Sequence, residues 1–191
     1  MRAPSFLASL IAGAVLSFSG IAHAQSGWDP RPYENQLTQW RISLMEIHTD
    51  LLKWLTPLAE HLNDRRAGNE SAPPMFLGLQ GLALSGIAAR AREFTIEINS
   101  FTSKVVDECP LLTQQGLFLE SGRCLVIAKR SGLLTSAAIS LMFAALHGSR
   151  AVNSLNDSDL EKAELLYTIA DMYGHLSNIY FELEDQKAKG Q

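Results

Sequence analysis

Two cysteines, five histidines and twenty carboxylate side chains are the groups from which this chain could assemble a chemical centre. Cys109 and Cys124 bound the stretch "CPLLTQQGLFLESGRC". Two thiols this far apart with no histidine nearby do not supply a four-ligand zinc pattern. Covalent haem attachment would need a C-x-x-C-H motif, which is absent. A disulfide is the chemistry left to the pair in an oxidising compartment. In "EIHTD", Glu46, His48 and Asp50 stand two apart. Helical residues at that spacing point to different sides, so the cluster reads as a solvated helix face. Asp171 and His175 are four apart and can meet side by side, but two ligands do not complete a metal site. Glu-x-x-His pairs of the di-iron type are missing.

Haem held between a methionine on the first helix and a histidine on the last would use Met45 and His175. Met45, however, falls beside the apolar seam of its segment, where methionine usually fills gaps. No serine stands in a G-x-S-x-G elbow. "GLQGLALSG" has neither the preceding strand nor the G-K-[ST] ending of a phosphate loop. The expectation is therefore no catalytic residue, no metal ligand and no cofactor.

What remains is the scaffold. "MRAPSFLASLIAGAVLSFSGIAHA" has a basic start, an uncharged apolar run and an A-x-A end, the pattern of a secretory signal peptide cleaved after Ala24. The expected location is periplasmic or secreted, with residues 25–191 forming one helical-bundle domain. Without Arg2, fifteen Lys and Arg face twenty Asp and Glu, a formal net charge of −5. Such a balance argues against nucleic acid, whose phosphates are held by clustered cations.

Leu37, Trp40, Leu44, Ile47, Leu51, Trp54, Leu58 and Leu62 form one seam at alternating steps of three and four. Pro57 should kink this first helix near Lys53. A second helix is expected over about Met75–Asp107, stopped by Pro110. Its uncharged start, 75–89, places Gly78, Gly81 and Gly86 where a neighbouring helix would approach closely. The third, from about Cys124 to Ala151, is uncharged over 131–149. That run is long enough to span a membrane, but reads better as the buried centre of a bundle. Ser158 and Glu161 have capping-box spacing ahead of a fourth helix. Leu166, Ile169, Tyr173, Leu176, Tyr180 and Leu183 form its expected core seam, and its acidic remainder suits the basic bias of the third helix.

These elements predict an all-α, elongated antiparallel four-helix bundle with a disulfide-bounded loop between helices 2 and 3. Leu111, Leu112, Leu117, Phe118 and Leu119 in that loop either fold back as a lid or form a partner contact. Trp28 and Tyr33, ahead of the first helix, are freer than the seam aromatics to serve a partner. In outline alone, a signal segment followed by long amphipathic helices resembles exported helical subunits of secretion and conjugation machines. The expected function is an exported, non-enzymatic interaction protein, a subunit or accessory factor of a cell-envelope assembly. Its partner would be an envelope protein or further copies of itself. A small-molecule- or metal-binding periplasmic bundle is the alternative, and a membrane-inserting hairpin using 75–89 and 131–149 is the third reading.

Overall fold

The computed structural model describes residues 27–69 and 73–190. The expected signal segment and its cleavage point lie outside the described residues. Among the described residues four helices follow one another: α1 Arg31–Arg66, α2 Pro74–Gln114, α3 Phe118–Asn156 and α4 Leu160–Ala188. The short connections at 115–117 and 157–159 make successive helices antiparallel.

On α1 the expected seam is the buried one, except that Leu55 enters the core and Trp54 is only half-buried. The helix continues through Pro57. Proline has no N–H to give the Lys53 carbonyl. One residue on, the Trp54 carbonyl accepts a 2.6 Å hydrogen bond from Nε2 of the fully buried Gln80 on α2.

Pro110 does not stop α2, which runs on to Gln114. Its terminator is Gly116, at φ +79°, with Leu117 N donating to the Leu112 carbonyl at 2.9 Å and Gly116 N to that of Thr113 at 3.0 Å. A left-handed residue after the last turn frees the chain to reverse, and glycine takes it without Cβ strain. Consequently the disulfide-bounded connection between helices 2 and 3 narrows to residues 115–117. Both cysteines lie inside helices, and "ESGRC" belongs to α3.

The second reversal also departs from expectation. Ser158 is not the cap of α4 but the left-handed residue that ends α3, at φ +62°. Asp159 caps α4 instead, its carboxylate accepting from Lys162 N at 3.2 Å.

α3 touches every other helix, whereas α2 and α4 do not touch each other and α1 lies against all three. The bundle is thus a layer of α2, α3 and α4 with α1 across one side. Small side chains on α3 explain the close approach: Ala137, Ala138, Ala144, Ala145 and Ala151 are fully buried. Among the described residues α3 is the one helix long and apolar enough to cross a membrane. In this fold its uncharged run has no exposed residue.

The three α2 glycines do not share one cause. A Cβ on Gly81 would contact the Val152 side chain at 3.5 Å, but nothing lies within 4 Å at Gly78 or Gly86. Those two face outward with Met75, Leu79 and Leu82.

Candidate interaction surface

The disulfide Cys109–Cys124 joins the last turns of α2 to the first turns of α3 with Cα atoms 5.5 Å apart, and both cysteines are buried. Around it, the Ser121 hydroxyl donates to the Cys109 carbonyl at 3.1 Å and shares a 2.7 Å hydrogen bond with the Thr113 hydroxyl. Backbone and side chain therefore fix the turn between them. The five apolar residues divide along the helical period. Leu112 is buried at 6% exposure and Leu117 is half-buried against the core, so these two turn inward. Leu111 at 52%, Phe118 at 71% and Leu119 at 82% face solvent. Val106 and Leu125, also exposed, line a shallow cleft with Pro110.

The same end carries an aromatic corner. Trp28 stacks on Tyr33 at 5.8 Å, Tyr33 meets Phe101, and Phe101 meets Trp40 edge-on at 4.9 Å. The Tyr33 hydroxyl donates to Glu108 at 2.8 Å. Burial, followed by that carboxylate, raises the Tyr33 pKa above its ordinary range. Trp28 and Tyr33 thus pin the start of α1 to α2 and are not free.

The polar candidates are dispersed. His48 is buried at 9% exposure and faces Phe181, so the solvated-face reading fails for it. Glu46 points to solvent, and Asp50 pairs with Lys53 and Arg90. Asp171 and His175 do meet, at 3.6 Å, on the surface. Met45 and His175 are both exposed, rather than turned into the bundle. No three of His, Cys, Asp and Glu are gathered as a metal would need among the described residues.

Among the described residues the one strongly buried carboxylate is Glu184. Arg130 of α3 donates to it at 2.7 Å, and Arg41 of α1 stands 3.3 Å from its other oxygen and 3.3 Å from Asp185. Complementary charge between the third and fourth helices was legible in the sequence. The convergence of α1 on the same carboxylate was not.

On α4 the expected core seam is displaced. The buried residues are Ala163, Ala170, Gly174, Ser177, Phe181 and Glu184. Small side chains let α4 lie close to α3 and α1, which rotates the larger seam toward the flank and the outside. Tyr173 packs at that flank, its ring 5.3 Å from Phe143 and parallel to that of His147. Leu165, Met172 and Ile179, absent from the expected seam, are exposed. Their signal was available as a second apolar series recurring every seven residues.

The fold and its surfaces define a disulfide-braced, all-α four-helix bundle whose apolar residues are not all consumed by its core. Comparison of the chain with protein-family models, curated proteins and solved structures finds no match.

Proposed function

We propose that this chain is an exported, non-enzymatic interaction protein, a subunit or accessory factor of a cell-envelope assembly, and that it meets a protein partner through the α2–α3 turn. The observation carrying this reading is the exposure of Phe118 and Leu119 on a backbone held by a disulfide and by Ser121 and Thr113. Large apolar side chains presented on a fixed frame lose little entropy on binding, the property that makes an effective contact. A disulfide in that frame suits an oxidising compartment.

The test places a photo-crosslinking residue at Phe118 and exposes the purified protein to the envelope fraction of its own host. The expected result is a discrete cross-linked protein that is lost when Leu111 and Leu119 are changed to Asp and retained when Met172→Glu is introduced. Cross-linking no stronger than from the exposed Glu60 position overturns the reading.

A further inference from the structure

The outward face of α4 carries Leu165, Ile169, Met172, Leu176, Ile179 and Leu183, spaced four, three, four, three and four. That is the step pattern of a helix seam made to meet another helix. Its outer residues stand clear of the other described helices: Met172 is 66% exposed, Leu165 62%, Ile179 50% and Leu183 38%, with Ile169 and Leu176 half-buried between them. Ile169, Met172, Leu176 and Ile179 of this series line a shallow apolar groove with Tyr173 and His175.

The series is also symmetric about Gly174. In an antiparallel pairing centred there, Leu165 meets Leu183 of the second copy, Ile169 meets Ile179, and Met172 meets Leu176. A two-fold contact requires a patch complementary to itself, and this one matches in both register and side-chain size.

Charge agrees with the same occupant. α4 is acidic, and two copies would repel if its carboxylates lay on the seam. Glu164, Glu184 and Asp185 instead turn to Arg66, Arg130 and Arg41 within the bundle. Along the polar flank of the antiparallel pair, Glu161 comes level with Lys189 of the second copy at both ends, and Thr168 with Glu182.

We propose that the protein forms a two-fold homodimer through antiparallel pairing of α4 along this seam. The paired length is about 28 Å. Widened by the half-buried Tyr173 and Tyr180, it covers on the order of 1,000 Å² in total, the lower end for a specific interface, so the dimer is reversible.

The test is sedimentation of the purified, disulfide-bonded protein from about 1 to about 100 μM, spanning the range of a reversible dimer. The expected mass rises to twice that of one chain. Met172→Glu with Ile179→Glu should return it to one chain at every concentration with unchanged helicity, since both side chains are already exposed. Orientation is read by cysteine cross-linking under mild oxidation. His175→Cys should link to itself, and Thr168→Cys should link to Glu182→Cys but not to itself. A single-chain mass at the highest concentration, a dimer indifferent to the double substitution, or self-linking of Thr168→Cys overturns the proposal. So does loss of the soluble dimer to phosphatidylcholine vesicles, which would assign the face to lipid.

Discussion

Gly148 of α3 and Leu55 of α1 meet so closely that a Cβ added at Gly148 would stand 2.8 Å from Leu55 Cδ2. It would also stand 3.3 Å from Leu84 Cδ1 on α2, so three helices converge on one missing methyl group. Both leucines are buried and have little room to yield.

Gly148→Ala is therefore expected to destabilise the protein by about 1–2 kcal/mol, the packing strain exceeding the gain in helix propensity. Gly86→Ala is expected to do the opposite, by about 0.5–1 kcal/mol, because nothing stands within 4 Å of its Cβ position. Urea unfolding of the two variants beside the parent measures both signs, and a stabilised Gly148→Ala would refute the close-contact account.

Glu184 holds Arg130 and Arg41 together with its side chain only 1% exposed. Removing it leaves the largely buried Arg130 guanidinium without its partner, while Arg41, a third exposed, keeps Asp185. Glu184→Ala should cost about 3–5 kcal/mol, the range for breaking a buried pair. Adding Arg130→Met should recover part of that loss, because the uncompensated charge is what costs most. Chemical denaturation of the single and double variants reads the difference.

Acidification should weaken the fold well above the carboxylate range. Burial, then nearby His175, holds the His48 pKa below its usual 6.5, and burial followed by Arg150 does the same for His147. Below pH 6.5 the unfolded chain binds protons that the folded chain refuses, so stability rises with pH in this window. It is complete above 6.5 and is lost as pH falls from there through the folded-state values. Arg41, Glu182 and Asp185 share the cleft with His48. The lowered pKa of Asp185, held by Lys189, Arg41 and Arg130, moves its own loss of stability to more acidic solution. The unfolding midpoint should be lower at about pH 5 than at about pH 7.5, and His48→Gln should flatten that dependence.

Replacing both cysteines by alanine should lower stability by about 3 kcal/mol in the chain-entropy account of a loop this short. Helix content in dilute buffer should persist, since Gly116 and the buried Leu112 still direct the turn. Far-UV circular dichroism and the thermal midpoint separate these effects. A loss of helicity at room temperature would show that the disulfide organises the turn rather than bracing it.

The all-α class, the four helices and the cysteine pairing were legible because period and spacing are local properties. The α1 seam from Leu37 to Leu62 is the clearest case, since one stripe of large residues leaves no competing face. Helix ends were harder to read. Pro110 and Ser158 each carry a strong local signal, but Leu112 burial and the disulfide carry α2 past the first, and a left-handed turn uses the second to end α3. On α4, the amino-acid order determines two apolar series and a line of small residues. Only the tertiary structure decides which of the three is buried. α3 and α1 come close enough to select Ala163, Ala170, Gly174 and Ser177, because close helix packing favours small side chains over large ones. That choice leaves Leu165, Met172 and Ile179 outside and holds Leu166, Tyr173 and Tyr180 of the expected seam half-buried at the flank of the core.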